Sequence, residues 1–279
     1  MSDRAKGISL VIAAVTSLQF GAGFAVTLFD ELGPGGAAFL RLAIAAAVLL
    51  AIWRPRVRGR PARDLRLAAA FGITLGLMNL CIYEAMDRIP LGIAVTIEFW
   101  GPLAVAVAGS RRPLDLLWVA LAAAGIVLLA DPGGGSLDAA GIAFAVAAGG
   151  LWAAYILLAA RTGRVFPGAS GLAIAMVFGA LVTLPAGVAQ AGAELLVPEL
   201  LAAAAVVALA SSVIPYSFEL EALRRLPARV FGVLMSLEPA VAAVAGLIVL
   251  GQALGAIEWL AIGLVVAASA GSSNPRLRD

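Results

Sequence analysis

Two glutamates, Glu98 and Glu238, lie inside long apolar runs, and a proline follows each of them closely. A carboxylate in apolar surroundings can bind a cationic group or a proton, but its presence there is costly and needs a reason. Within a helix, Pro102 leaves the carbonyl of Glu98 without a donor, and Pro239 does the same for Met235. We interpret both glutamates as substrate-binding residues beside helix discontinuities at the two prolines. The alternative is that each carboxylate only fixes helix packing.

Other polar and aromatic side chains within the apolar runs complete a candidate binding site. They are Gln19, Asn79, Tyr83, Trp152, Tyr155 and Tyr216. Asn79 and Tyr83 share one face of a helix, and Tyr216 follows Pro215, which predicts a kink. Taken singly, each residue of this kind is more often a packing residue or an interfacial aromatic than a binding residue.

Arg41 is a cation within an apolar run. Its guanidinium could bind the carboxylate of a substrate, or it could form a structural ion pair with Glu98, Asp30 or Glu31. We favour the structural interpretation and keep the other open.

Small residues mark close approaches between helices. Gly72 and Gly76 have the spacing of a packing seam on one helical face. Ala94 and Gly101 flank Glu98 on its own face, and they are expected to leave space for a ligand.

The chemistry that most enzymes need is absent. The chain contains no His, and its single Cys81 lies inside an apolar run. These features remove the commonest general base, the commonest metal ligand and any disulfide. No nucleophile-elbow motif is present either. The sequence therefore predicts no enzyme, no metal site and no cofactor.

Composition places these residues in a membrane. Apolar residues make up 62% of the 279 residues, charged residues 13%, and the mean hydropathy is +1.03. One soluble core could not bury that much apolar surface. Runs of roughly 20 apolar residues predict transmembrane helices. The predicted helices are 7–28, 35–53, 67–86, 90–109, 114–130, 139–160, 170–190, 200–219, 229–250 and 257–272.

The positive residues predict an orientation. If the N-terminus is cytoplasmic, all but Arg41 and Arg88 of the 19 Lys and Arg residues face the cytoplasm. The positive-inside rule then predicts a multi-pass protein of the bacterial inner (plasma) membrane, with both termini cytoplasmic and the 131–138 loop outside. The Arg-rich run 54–66 adjoins two helices, so we assign it to lipid headgroups and expect no nucleic-acid binding.

The sequence also contains an internal repeat. Residues 83–109 align without a gap on residues 220–246, and Pro102 falls on Pro239. Prolines and charges in common register rarely coincide by chance between apolar helices.

Each copy of the repeat holds five helices. We predict repeats at 1–134 and 135–279, with the second inverted, since Arg88 lies in an outer loop and the matching Arg225 in an inner one. The predicted fold is an all-α polytopic membrane protein with ten transmembrane helices in two inverted five-helix repeats. This architecture is typical of secondary transporters, whose binding sites lie near the midplane.

Two segments carry a resemblance to a known family. Residues 88–113, RIPLGIAVTIEFWGPLAVAVAGSRRP, resemble the fourth helix of the EamA-type drug/metabolite transporter superfamily. Residues 225–252, RLPARVFGVLMSLEPAVAAVAGLIVLGQ, resemble the ninth. Within the superfamily, the sequence is most similar to bacterial threonine/homoserine exporters and related amino-acid exporters. The resemblance implies ten helices, a central cavity between the repeats, and efflux of amino acids or related metabolites.

We therefore predict an inner-membrane exporter of amino acids or related small metabolites that works by alternating access. Glu98 or Glu238 could accept the ammonium group of a zwitterion, and either could instead carry a coupling proton. The alternative is an uncoupled facilitator (a uniporter) or an exporter of another small metabolite or drug-like compound. The expected partners are the small-molecule substrate and the lipid bilayer, and a monomer is the simplest oligomeric state.

Overall fold

The computed structural model describes residues 3–108, 113–130, 137–226 and 228–272, and all regular secondary structure in these ranges is helical. The predicted repeat boundary at residue 134, and most of the 131–138 loop, lie outside the described residues. The α-helices are α1 (Asp3–Val26), α2 (Phe29–Trp53), α3 (Ala62–Met86), α4 (Leu91–Glu98), α5 (Trp100–Ala108), α6 (Pro113–Ala130), α7 (Ala139–Val165), α8 (Ser170–Ala191), α9 (Pro198–Ala208), α10 (Ile214–Leu223), α11 (Ala228–Met235), α12 (Glu238–Leu250) and α13 (Ala256–Ser272). A 3₁₀ turn (Gly192–Leu196) follows α8, and a π-helical segment (Leu209–Val213) joins α9 to α10.

These helices overlap every interval predicted from hydropathy, although three of the intervals each hold two α-helices. Within the described residues, seven helices are long and apolar enough to cross a membrane, and three apolar helices are shorter. The prediction of an all-α, multi-pass membrane protein is confirmed. The largest difference between a predicted and an observed helix start is at α2, which was predicted to begin at residue 35 and begins at Phe29. The extra residues form a short helical turn that ends at Gly33, where the backbone is not helical (φ 63°). Pro34 then begins the main part of the helix, as expected for a residue without a backbone N–H.

Besides the break at Gly33, three helical regions are interrupted close to a proline. The boundary between α4 and α5 is at Phe99, three residues before Pro102, and α11 ends at Met235, before the turn that precedes Pro239. The third interruption is the π-helical segment, which stands immediately before Pro215. The proline ring cannot donate a backbone hydrogen bond, so each interruption releases carbonyl groups inside the bundle.

One end of the bundle, which we call the Arg-rich end, carries the loop between α2 and α3. Its Arg60 guanidinium stacks 4.5 Å from the ring centroid of Phe166, in the loop between α7 and α8. Asp3, at the start of α1, lies 3.7 Å from Arg225, after α10. These contacts gather the ends of α2, α7 and α10 with the start of α1.

At the opposite end, two glutamines cap helices of other parts of the chain. The backbone N–H of Gly35 donates to Gln190 Oε1 of α8 (2.6 Å), and the N–H of Leu91 donates to Gln252 Oε1 (2.9 Å). Gln190 Nε2 also donates to Glu84 Oε1 at 2.9 Å. The first N–H groups of a helix have no intrahelical acceptor, so these side chains supply one.

The packing seam predicted on α3 faces α8. A Cβ on Gly72 would overlap the backbone carbonyl of Ala175, and one on Gly76 would come within 2.7 Å of the carbonyl of Gly179. Both obstacles are backbone atoms, which cannot rotate away. The two helices can therefore approach this closely only because these positions lack side chains.

We expect Gly72→Ala to lower the thermal unfolding temperature in detergent, because the added methyl group must push α3 and α8 apart. Overpacking of this kind costs about 1–3 kcal/mol. The matched control is Gly263→Ala in α13, where a Cβ meets nothing within 4 Å. The control should melt like the wild type or slightly above it. Equal melting temperatures for both variants would contradict the close approach.

Candidate functional site

A central cavity of ≈350 Å³ is lined by side chains from most of the helices. The binding residues predicted from the sequence all line it, together with Arg41 and Pro102. They are Gln19, Asn79, Tyr83, Glu98, Trp152, Tyr155, Tyr216 and Glu238. Pro239 is buried but lies outside the lining. The remaining wall is mostly apolar, which is the usual composition of a small-molecule site.

The two glutamates stand at the helix interruptions. Glu98 is the last residue of α4, and Glu238 is the first residue of α12. Both are buried, and Glu238 Oε1 has no hydrogen-bond partner among the described residues. Gln19 Oε1 of α1 is also buried without a hydrogen-bond partner among the described residues. Two residues of the cavity lining therefore carry buried acceptor atoms without a donor among the described residues, and such an acceptor is destabilising by about 1–3 kcal/mol.

Arg41 is held by three hydrogen bonds. Its Nη1 donates to the Tyr83 hydroxyl (3.1 Å), its Nε to Ser212 Oγ (3.1 Å), and its Nη2 to the carbonyl oxygen of Ser211 (2.8 Å). The carbonyl of Ser211 lacks a helical donor because Pro215 stands four residues further on. Arg41 is therefore anchored to Tyr83 and to the π-helical segment. Among the described residues, no carboxylate lies within 4.0 Å of its guanidinium, so the expected ion pair with an acidic neighbour is wrong.

The side chains of Asn79 and Tyr83 each form a hydrogen bond within the protein. Asn79 Nδ2 donates to the carbonyl of Leu75 in its own helix (2.8 Å). Tyr83 is fully buried, and its ring packs 5.4 Å from that of Phe29 while its hydroxyl accepts from Arg41. Tyr83 therefore positions Arg41 at the cavity wall.

Aromatic pairs position the other ring side chains. Trp152 meets Phe99 edge-on at 5.1 Å between ring centroids, and Tyr155 lies 5.2 Å from Phe71. Phe99 is the residue at the helix interruption, so Trp152 of α7 packs against that break.

The space expected beside Glu98 is partly filled. A Cβ on Gly101 would overlap the carbonyl of Gly149 in α7, and the Trp100 indole N–H donates to the carbonyl of Val146 at 3.0 Å. Gly101 is small because two backbones meet there, so the prediction that it leaves room for a ligand is wrong.

A second cavity, of ≈540 Å³, occupies the Arg-rich end of the bundle. We call it the vestibule. Trp53, Gly163 and Arg224 line it, and three residues line both the vestibule and the central cavity: Tyr155, Tyr216 and Glu219. Glu219 was not among the binding residues predicted from the sequence, although it follows Tyr216 by three residues and therefore shares its helical face.

Comparison with known proteins identifies relatives that span the chain. The threonine/homoserine exporter RhtA of Escherichia coli (strain K12) is 44% identical over 269 residues, which cover 95% of this chain and 90% of that protein. The exporter of the same name from Salmonella typhimurium (strain LT2) is 43% identical over the same length. One crystal structure aligns over 100% of this chain and 99% of its own, with a TM-score of 0.62 and 21% identity, which shows a shared fold.

A model of the EamA-like transporter family matches residues 139–274. This match and the relatives confirm the resemblance inferred from residues 88–113 and 225–252, and they confirm a transporter and not an enzyme. The chain belongs to the EamA-like transporter family.

Proposed function

We propose that this chain exports small amino acids of the threonine and homoserine type. Its relatives at 43–44% identity are named for that activity. The structural observation that supports the proposal is the pair of unpartnered acceptors, Glu238 Oε1 and Gln19 Oε1, beside the central cavity. A primary ammonium group carries three donors and a positive charge, so it supplies the kind of donor that both atoms lack.

The carboxylate of the amino acid binds on the side of Arg41. A guanidinium has five N–H donors, and three of these are used by protein acceptors. The remaining N–H groups, with the hydroxyl of Tyr216 and the amide of Asn79, can receive a carboxylate. Glu98 and Trp152 complete the wall around the bound substrate.

The proposed architecture is ten transmembrane helices in two inverted repeats, 1–134 and 135–279. The interruption at Phe99 falls on Ser236, within the second interruption, when the repeats are aligned. The helices that begin the two repeats also run in opposite directions, because α1 starts at the Arg-rich end and α7 ends there. A site between two such repeats can be exposed alternately to each side of the membrane.

The proposed orientation places the Arg-rich end in the cytoplasm of a bacterial cell, with both termini on that side of the inner membrane. The vestibule then opens toward the compartment from which substrate is exported. At the opposite end, the glutamine caps hold the helices together. This arrangement corresponds to the inward-facing stage of the transport cycle, and the protein functions as a monomer.

Cysteine labelling tests the orientation. After replacement of Cys81 by Ser, we expect a cysteine at Ser136 to react in intact cells with a membrane-impermeant maleimide. A cysteine at Ser2 should react only after the membrane is permeabilised. Equal labelling of both positions in intact cells would contradict the proposed topology.

Substitution of the buried carboxylate tests the binding site. We expect Glu238→Gln to reduce threonine and homoserine export by about 10- to 100-fold, because an ammonium group would lose its charged acceptor. Membrane insertion should be unaffected, since a neutral side chain is easier to place at membrane depth. The measurement is efflux of radiolabelled homoserine from proteoliposomes at equal protein content.

The control for that variant is Glu194→Gln, which removes an exposed carboxylate from the 3₁₀ turn after α8. It should export at the wild-type rate. Export by Glu238→Gln at the wild-type rate would exclude Glu238 from the site.

Substitution of Arg41 tests its anchoring role. We expect Arg41→Lys to lower the thermal unfolding temperature, because a single ammonium group cannot reach the Tyr83 hydroxyl, Ser212 Oγ and the Ser211 carbonyl together. Loss of one buried partner costs about 1–3 kcal/mol. The matched comparison is Arg54→Lys, at an exposed arginine after α2, which should melt like the wild type. If Arg41→Lys were as stable as the wild type, the π-helical segment would not depend on the guanidinium.

A further inference from the structure

Glu219 lies where the vestibule meets the central cavity. Its side chain lines both cavities and is half-buried. It makes no hydrogen bond or ion pair with any other described residue. Any substrate that moves from the vestibule to Glu238 must pass this carboxylate and the two tyrosines beside it.

The other charges of the vestibule are already paired. Glu221 accepts from Arg224 at 3.2 Å and from Arg225 at 3.0 Å. The hydrogen bond from Arg225 holds the pKa of Glu221 below its usual value. The negative charge of Glu221 is therefore balanced by the two arginines. Among the described residues that line the vestibule, Glu219 therefore carries the negative charge that no arginine neutralises.

A second observation points to a cationic ligand. Glu238 is 2% exposed, and its Oε1, beside the central cavity, has no partner among the described residues. Glu219 and Glu238 both line the central cavity, so a cation that enters it from the vestibule meets two carboxyl groups in turn. The phenol rings of Tyr155 and Tyr216 add faces that attract cations.

We propose that Glu219 is a second ammonium-binding site, which receives the amino group of the substrate in the vestibule and passes it to Glu238. This inference rests on the proposed function and extends it. It makes the primary ammonium group, shared by all α-amino acids, the feature that the protein selects at entry. A carboxylic acid of similar size without an amino group would not be held there.

The test measures the KM for radiolabelled homoserine separately from each face, with inverted and right-side-out membrane vesicles. We expect Glu219→Gln to raise the KM by about 3- to 10-fold on the vestibule face, as for the loss of one charge-assisted contact in a partly hydrated site. The kcat from that face and the KM on the other face should change less than about twofold, since the contact is made before the central site is occupied. The kcat from the other face should then fall by the same factor as the KM rises on the vestibule face, because a mutation cannot change the transport equilibrium. A merely structural role would raise the KM on both faces.

Two variants serve as controls. Glu199→Gln removes an exposed carboxylate near the opposite end of the same helical region and should leave both KM values unchanged. Glu219→Asp keeps the charge and should restore the wild-type KM on the vestibule face to within about twofold.

A measurement on the wild-type protein does not depend on how the variants fold. Modification of Glu219 by a hydrophobic carbodiimide, followed by mass spectrometry, should be slowed by saturating homoserine but not by 4-hydroxybutyrate, which lacks the amino group. Unprotected modification, or an unchanged KM for Glu219→Gln, would overturn this inference while leaving the proposed function intact. Absence of homoserine transport by the wild type would overturn the proposed function itself.

Discussion

A helix that is interrupted inside a membrane must find protein partners for the backbone groups that the interruption releases, because hydrocarbon offers none. The π-helical segment before Pro215 shows how this constraint shapes the bundle. A proline at that position can donate neither the π-type bond to the carbonyl of Ala210 nor the α-type bond to that of Ser211. Ser17 of α1 donates to the first carbonyl (2.7 Å), and Arg41 of α2 donates to the second (2.8 Å). Helices from the first half of the chain are thus tied to the interruption in the second.

The same constraint separates the scaffold from the binding site. Arg41 and Tyr83 have their hydrogen-bonding atoms directed at each other and at the π-helical segment, so they hold the wall of the cavity in place. Glu238 and Gln19 present acceptor atoms that the described part of the protein leaves unpartnered. A buried group without a partner needs an explanation, and in the proposed function the substrate supplies the missing donor. In that proposal, Glu238 and Gln19 recognise substrate, Tyr83 stabilises the fold, and Arg41 does both.

Hydropathy and proline positions predicted the helices and their interruptions well, because both properties are local along the chain. The wall of the cavity was also foreseen, since polar residues in apolar runs have few alternatives to facing one another. Hydrogen-bond partners distant in sequence were not foreseen. The bond from Gly35 to Gln190 and the capping of α4 by Gln252 depend on tertiary packing that no local pattern specifies. Gly101 was misinterpreted for the same reason, since a glycine that meets another backbone has the same sequence signature as one that lines a cavity.

The two ends of the bundle differ in what must happen for the site to change sides. At the Arg-rich end, the side chains of Tyr155, Tyr216 and Glu219 stand between the vestibule and the central cavity, since they line both. At the opposite end, the amide groups that cap the starts of α2 and α4 stand beside an apolar cluster that includes Phe29, Leu32, Leu91 and Leu195. Water can replace a capping hydrogen bond at a net cost of only about 0.5–1.5 kcal/mol, whereas separating packed apolar side chains is more costly. In the proposed transport cycle, most of the cost of opening that end therefore lies in the apolar cluster, and substrate binding energy must offset it.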